Sequence, residues 1–363
     1  MTGFLLARPE SVVRASGVRT EYRDPWEAVD ALHRGAAAIA GALPFDPRGP
    51  AALAEPAEFT HTAGPRRPAA LPALPRIRVV GEQPSPEEHR ARVARLVGIL
   101  TDPGQPLRKV VAARSVLATA EARLDPEVVA GHLSTAHPRA NVFAVDLTPA
   151  GRTGATLVGA SPETLVQRTG TAVTVYPLAG TLPRLPDPAA DEAQADRLAA
   201  DTKNRAEHAF VVDWITERLR PVCTRLTVPP RAQLVSTREV WHLGTPIQGV
   251  LRDPAPSALE LALLLHPTPA VCGTPTAQAL EYITTHEEDR QFYGGAVGWC
   301  DSHGDGSWVV AIRSAELSGD GLLLRAHAGG GIVAASDPQS ELDETTTKLR
   351  TLLGALRVPA PPN

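Results

Sequence analysis

Short apolar runs that alternate with polar residues predict eleven strands in the chain. Between these runs lie segments with a helical period, so helices separate groups of strands. Because consecutive strands come in antiparallel runs, the pattern predicts an α+β fold. The predicted strands are a short one within 39–46 that ends in a turn, 109–114, 141–147, 155–159, 165–168, 172–176, 233–236, 239–243, 292–300, 308–317 and 322–328.

Helix starts are marked by capping residues. Ser85 and Glu88 form a capping box, as do Ser257 and Glu260, and Asp125 and Asp337 each precede a proline. Residues 1 to about 80 are poorly periodic, and the Pro- and Ala-rich stretch 47–76 is expected to be a surface excursion or loop. Helices are predicted at 26–38, 85–101, 126–136 and 191–220, and from 257, 275 and 338 onward.

Composition narrows the class of protein. The chain has 363 residues, of which 43% are hydrophobic, and this is enough for one large domain or two ordinary ones. A net charge of −4 gives no support to nucleic-acid binding. The apolar run 4–7 is too short for a signal peptide, and no apolar stretch is long enough to cross a membrane.

The three cysteines include no C-x-x-C pair, which indicates reduced thiols in a cytoplasmic protein. Cys272 is either a nucleophile or, as is more usual for a free cysteine, a small buried apolar residue.

The most informative stretch is 328–348, where three glycines precede a helix. Glycines 329–331 expose backbone N–H groups and allow a ligand to approach closely. Glu341, Glu344 and Lys348 follow on one helix face. Two carboxylates with room for water suit a hard cation such as Mg2+. The alternative is a solvated acidic helix face.

Three other positions carry open alternatives. Lys109 shares a predicted strand face with Val111, so it is either an edge residue that reaches solvent, which the pattern favours, or a buried functional amine. Lys203 and Glu207 lie one helical turn apart and suit a plain surface pair. A lone His242 beside a tryptophan is more often a core histidine than a catalyst.

Taken together, ten motifs resemble those of the chorismate-utilising enzymes, most closely the isochorismate synthases of the siderophore type. Each motif is weak alone, but the set is specific and covers nearly the whole chain in the expected order. The motifs are 41–48 (GALPFDPR), 109–114 (KVVAAR), 159–165 (GASPETL), 177–184 (PLAGTLPR), 203–208 (KNRAEH), 241–246 (WHLGTP), 266–275 (HPTPAVCGTP), 293–301 (YGGAVGWCD), 309–317 (VVAIRSAEL) and 328–348.

The resemblance implies one catalytic domain over residues 1–363, built from two antiparallel β-sheets packed together with helices outside. It also implies Mg2+ as cofactor and chorismate as substrate. By the same resemblance, the metal ligands are Glu207, Glu341 and Glu344. The implied substrate-binding positions are Gly180, Ala270, Val271, Tyr293, Ile312, Arg313, Gly329 and Lys348, with Arg313 and Tyr293 holding the enolpyruvyl carboxylate.

The implied reaction moves a hydroxyl group from C4 to C2 of chorismate. Water attacks C2 while the C4 hydroxyl leaves, so the reaction needs a base and an acid. The resemblance places Lys109 at the base position and Glu163 at the acid position, with His242 tuning the site. Lys109 must therefore act as a neutral amine and Glu163 as a protonated carboxyl.

Three other functions stay open. A salicylate synthase would also eliminate pyruvate, and Tyr293 is compatible with both activities. An amine-transferring relative would use ammonia from a glutaminase partner, and Lys109 argues against it. A non-catalytic chorismate-binding protein would not need the acid, base and metal set. The family precedent implies a monomer without a glutaminase subunit.

Overall fold

The computed structural model describes residues 3–66 and 71–358, which form twenty strands and eight α-helices. The predictions that fall on 1–2, 67–70 and 359–363 lie outside the described residues. The helices are α1 (Pro25–His33), α2 (Pro86–Thr101), α3 (Pro126–Ala136), α4 (Pro188–Ala200), α5 (Thr202–Leu219), α6 (Ala258–Leu264), α7 (Thr276–His286) and α8 (Pro338–Ala355). The strands are β1 (Gly3–Ala7), β2 (Ser11–Tyr22), β3 (Ala38–Leu43), β4 (Ala52–Ala63), β5 (Ile77–Gln83), β6 (Lys109–Ala120), β7 (Asn141–Asp146), β8 (Thr156–Ser161), β9 (Thr164–Thr169), β10 (Ala172–Tyr176), β11 (Leu178–Pro183), β12 (Cys223–Thr227), β13 (Gln233–Ser236), β14 (Val240–Gly244), β15 (Ile247–Leu251), β16 (Gly273–Thr274), β17 (Ala296–Asp301), β18 (Gly306–Val310), β19 (Ser314–Leu317) and β20 (Leu323–Ile332).

Hydrogen bonding joins seventeen of these strands into one antiparallel series. The series runs β12-β15-β10-β9-β18-β17-β3-β4-β2-β1-β7-β8-β19-β20-β6-β5, and β16 pairs with the start of β6. Strands β11, β14 and β13 form a separate small sheet. The predicted α+β class is therefore confirmed.

The series folds so that its two halves face each other. Between them lies an apolar layer to which both halves contribute, with Phe143 and Leu157 from one half and Val297 and Val309 from the other. Helices α1, α5 and α6 cover the outer face of the β3–β17–β18 half, while α3 and α8 cover the outer face of the other half. The predicted two layers with helices outside are thus present, but the two layers are continuous through the long β2–β4 pairing.

The N-terminal part is more regular than its sequence suggests. Four strands, β1 to β4, lie in the poorly periodic region, and β2 and β4 pair over nearly their full lengths. The predicted helix 26–38 was too long, because α1 ends at His33 and the chain becomes strand β3 at Ala38. Gly35, with φ +100°, takes a conformation that does not continue a helix.

Three other predicted elements were also wrong in extent. The segment 191–220 is two helices, because Asp201 caps α5 by accepting a hydrogen bond from Asn204 N. The predicted strand 308–317 is broken between β18 and β19 by Arg313, whose φ is +51°. The predicted strand 292–300 starts only at Ala296, since Gly294 has φ +78°. Among the described helices, none combines the length and apolarity needed to span a bilayer.

Candidate active site

A cavity opens where β20, β6 and the β11–β14 sheet meet, and eleven of the fourteen predicted site residues line it. The other three, Lys109, Glu341 and Glu344, lie beside the glycines of β20. The predicted residues that line the cavity are Glu163, Gly180, Glu207, His242, Ala270, Val271, Tyr293, Ile312, Arg313, Gly329 and Lys348.

The glycine run at the end of β20 allows carboxylates to contact the backbone. A Cβ atom on Gly330 would lie 2.8 Å from Glu341 Oε2, and one on Gly331 would lie 2.2 Å from Glu207 Oε1. Neither position therefore accepts a side chain without displacing a carboxylate. Helix α8 begins directly afterwards, where Asp337 caps Ser340 N, and this helix carries Glu341 and Glu344.

Lys109 is fully buried at the start of β6, so the preference for a solvent-exposed edge residue was wrong. Its Nζ atom lies 2.9 Å from Glu207 Oε1, so the two side chains form an ion pair. The direction of this contact is too far from linear for a hydrogen bond. Burial raises the pKa of Glu207, but the contact with Lys109 and the charges of Lys348 and Lys203 together outweigh this effect, so the pKa lies below its ordinary value. Glu207 is consequently a carboxylate at neutral pH.

Each of the other two candidate metal ligands also contacts a lysine. Lys203 Nζ lies 3.0 Å from Glu341 Oε1, so the predicted surface pair between Lys203 and Glu207 was wrong. Lys348 Nζ lies 2.6 Å from Glu344 Oε1 and also donates to the carbonyl of Gly329. Burial and the adjacent charge of Glu344 raise the pKa of Glu341. Within 3–66 and 71–358, no three His, Cys, Asp or Glu side chains are gathered as a ready metal site.

Glu163 lies between β8 and β9 in an almost water-free position, with 3% of its surface exposed. Burial raises its pKa to about 7, although the amide of Leu178 and the charge of Lys109 act in the opposite direction. Leu178 N donates to Glu163 Oε1 over 3.4 Å. At neutral pH this carboxyl therefore carries a proton for a large part of the time, as a general acid must.

Arg313 and His242 are neighbours in the cavity wall. Arg313 Nη1 donates to Thr351 Oγ1 over 2.9 Å, and Nη2 lies 3.4 Å from His242 Nε2. His242 Nδ1 lies 3.0 Å from Thr181 Oγ1 and 3.3 Å from the carbonyl of Gly180. Burial and the charge of Arg313 hold the pKa of His242 well below its usual range, so the ring is neutral. A proton on Nδ1 then leaves Nε2 to accept from Arg313.

The remaining walls are apolar or aromatic. Ala270, Val271 and Ile312 line one side of the cavity. Tyr293 lies there with its ring stacked on His327, and burial raises the pKa of the phenol to about 12, so it stays protonated.

Sequence reasoning did not select several residues that the cavity uses. His327, Thr181 and Leu178 all line it, and Leu178 also hydrogen-bonds the candidate acid. His327 alternates with Gly329 along β20, so its place two residues before the glycine run was the available signal. Cys272 is fully buried, with a thiol pKa raised to about 12 by burial, so it packs as an apolar side chain.

Comparison with known proteins identifies the family of this chain. Residues 58–357 match the chorismate binding enzyme family. A Mycobacterium tuberculosis protein named "Putative isochorismate synthase MenF" is 50% identical over 363 residues, covering 98% of this chain and 96% of the relative. Isochorismate synthase EntC of Escherichia coli K12 is 39% identical over 321 residues, covering 87% of this chain and 80% of that protein.

A solved structure agrees in fold. The "putative 2,3-dihydroxybenzoate-specific isochorismate synthase, DhbC" of Bacillus anthracis superposes with a TM-score of 0.90 at 36% identity, covering 98% of this chain and 96% of that one. This chain belongs to the chorismate binding enzymes, and the resemblance inferred from its motifs is confirmed.

Proposed function

We propose that this protein is an isochorismate synthase, which converts chorismate to isochorismate by adding water at C2 and releasing the C4 hydroxyl. The named relatives support this activity, since they cover most of the chain at 39% to 50% identity. The site supports it independently through a buried carboxyl between β8 and β9 that lines the cavity, and a buried lysine at the start of β6 beside the glycines of β20.

We also propose Mg2+ as the cofactor. The donors suit a hard cation, since Glu207, Glu341 and Glu344 offer only carboxylate oxygens. Burial and the charge of Glu344 raise the pKa of Glu341, and a bound cation would relieve the repulsion between these two carboxylates. When bound, Mg2+ supplies a positive charge that holds the ring carboxylate of chorismate and stabilises negative charge there.

Residues of this chain bind the substrate and carry out the two proton transfers. Arg313 presents a planar guanidinium to the enolpyruvyl carboxylate, with His242 and Thr351 fixing its orientation. Lys109 is ion-paired with Glu207, so the base role requires it to give up a proton first; as a neutral amine it then takes a proton from the water that attacks C2. Glu163 gives its proton to the C4 hydroxyl, which leaves as water while the ring double bonds shift. One proton is taken and one is given, so the overall reaction is an isomerisation.

The single observation that carries the proposal is the burial of Glu163 in the cavity wall, because burial raises its pKa to about 7 and so favours the protonated form in which a general acid acts. Purified protein, chorismate and Mg2+ without ammonia should give isochorismate, identified by chromatography and mass spectrometry. Salicylate with stoichiometric pyruvate would instead assign the pyruvate-eliminating activity. Product formed only with ammonia would contradict the proposal and assign an amine transferase.

The acid and base roles are tested by two variants. Lys109→Gln keeps a polar side chain of similar length but cannot accept the proton, so turnover should fall about 10²- to 10⁴-fold, the usual effect of losing a general base. Glu163→Gln should fail in the same assay because it cannot protonate the C4 hydroxyl. Both variants should still bind chorismate, measured by calorimetry. Near wild-type turnover by Lys109→Gln would exclude Lys109 as the base.

A further inference from the structure

One face of β20 carries a single ring followed by positions without side chains. His327, Gly329 and Gly331 alternate along the strand and all line the cavity. The imidazole of His327 lies almost parallel to the ring of Tyr293, with 5.1 Å between centroids and 15° between planes. This offset stack is a favoured arrangement for two aromatic rings.

Gly329 completes the surface beneath Tyr293. A Cβ atom at Gly329 would lie 3.0 Å from the Tyr293 hydroxyl, so the phenol end approaches the strand backbone where no side chain intervenes. The tyrosine therefore lies flat across β20, with its ring over His327 and its hydroxyl near Gly329. Among the hydrogen bonds of the described residues, none involves the Tyr293 hydroxyl, whereas the face of the ring contacts His327 through the stack.

Both partners are uncharged over the working pH range. Burial lowers the pKa of His327 to about 3 and raises that of Tyr293 to about 12. The contact is therefore between two neutral rings and does not depend on a titrating charge.

We propose that His327 is a positioning residue for substrate binding, which acts through its flat contact with Tyr293. This inference rests on the proposed function, in which Tyr293 holds the enolpyruvyl carboxylate together with Arg313. Loss of the stack leaves the phenol free to rotate away from the carboxylate. The reacting carbons lie beside Lys109 and Glu163 instead, so the effect falls on KM rather than kcat.

The test compares three substitutions at His327. His327→Leu removes the ring and should raise KM for chorismate roughly threefold to tenfold, the range expected for one aromatic contact. His327→Phe keeps a flat ring and should restore most of the wild-type KM. If His327→Leu is unstable, His327→Asn replaces it in the comparison, and it should show the same increase in KM. In the active variants kcat should stay within about twofold, because the acid and base are unchanged.

The chain provides a matched control. Tyr282 and His286 form a second stack on α7, with centroids 4.3 Å apart and planes at 13°, and neither residue lines the cavity. His286→Leu should leave KM unchanged. In a Tyr293→Leu background, His327→Leu should add little to KM, because residues that act through one another are not additive.

Three results would overturn the inference. These are an unchanged KM in His327→Leu, a phenylalanine variant as impaired as the leucine variant, and full additivity with Tyr293→Leu. Dissociation constants for chorismate, measured by calorimetry for the same variants, separate this inference from the proposed function. If the wild type binds chorismate but forms another product, the proposed function is wrong, while the His327 binding differences still decide the inference. Absence of chorismate binding would overturn both.

Discussion

At the residue scale, burial makes the Glu163 carboxyl suitable as a general acid. With 3% of its surface exposed, the carboxyl loses the hydration that would favour its charged form, and its pKa rises to about 7. The opposing charges of Lys109 and Arg313 do not cancel this effect. An acid that acts in its protonated form is active below its pKa and inactive above it.

The raised pKa of Glu163 gives a prediction about how catalysis depends on pH. The kcat/KM for chorismate should decrease as pH rises through about 7, because Glu163 of the free enzyme then loses its proton. The measurement is a kcat/KM–pH profile between pH 6 and 9, with circular dichroism to show that the protein stays folded. Asp146→Asn provides a control, since Asp146 lies outside the cavity and should leave the profile unchanged. A kcat/KM that stays constant through pH 8 would contradict the acid role.

Arg313 gives a second prediction at this scale. Its guanidinium uses one nitrogen for Thr351 and another for His242, which fixes the plane that faces the cavity. Arg313→Lys keeps the charge but cannot form two parallel contacts with a carboxylate, so KM for chorismate should rise roughly tenfold or more. Arg152→Lys, outside the cavity, should change KM little. Unchanged KM and kcat in Arg313→Lys would make Arg313 a structural residue.

The sequence could identify residue types but not always their surroundings. Alternation along 109–114 placed Lys109 correctly on a strand, yet favoured solvent for its side chain. The partner that neutralises it, Glu207, comes from α5, far along the chain, and no local pattern contains that ion pair. Motif resemblance corrected this point because it carries information about the whole fold. Likewise, Arg313 was assigned to a strand face, whereas it lies at a break with positive φ.

At the scale of elements, β20 and α8 together form one side of the site. The strand must pass close to the carboxylates, and its glycines permit this approach. Capping by Asp337 then starts α8 so that Glu341 and Glu344 follow within two turns. These features were visible in the sequence, whereas the division of 191–220 into α4 and α5 was missed. The signal was the capping residue Asp201 inside an otherwise helical pattern.

The glycine strand gives a prediction of its own. A methyl group at Gly331 would lie 2.2 Å from Glu207 Oε1 and 2.8 Å from Lys109 Cε, so Gly331→Ala must displace the ion pair. Turnover should fall by at least tenfold, in line with the cost of misplacing a catalytic group by about 1 Å. Gly81→Ala is the matched control, since a Cβ atom there would meet nothing within 4 Å. Equal activity of the two variants would show that the close approach is not needed.

At the scale of the whole molecule, the continuous sheet brings distant segments together. Lys109, Glu163, Glu207 and Arg313 come from separate elements, and the antiparallel series with its small additional sheet places them around one cavity. The sequence pattern missed strands β1, β2, β4, β5, β11, β12, β15 and β16. The family resemblance implied the two layers, but not the continuity through β2 and β4, because residues 1 to 80 lack a clear period. Pairing between strands, rather than local periodicity, decides that region.

Charge balance over the site gives the last prediction. Glu207, Glu341 and Glu344 each contact one lysine, so the three carboxylates are matched by Lys109, Lys203 and Lys348. A doubly charged substrate adds two negative charges, and Mg2+ would balance them. Glu344→Gln removes one charged ligand while that substrate charge stays, so turnover should be nearly abolished.

Turnover is measured over a Mg2+ titration, and chelation by EDTA should abolish wild-type turnover until Mg2+ is restored. Asp343→Asn is the control, because Asp343 lies on the same helix, accepts a hydrogen bond from Gln339 and does not line the cavity. Full activity of Glu344→Gln at limiting Mg2+ would exclude Glu344 as a metal ligand.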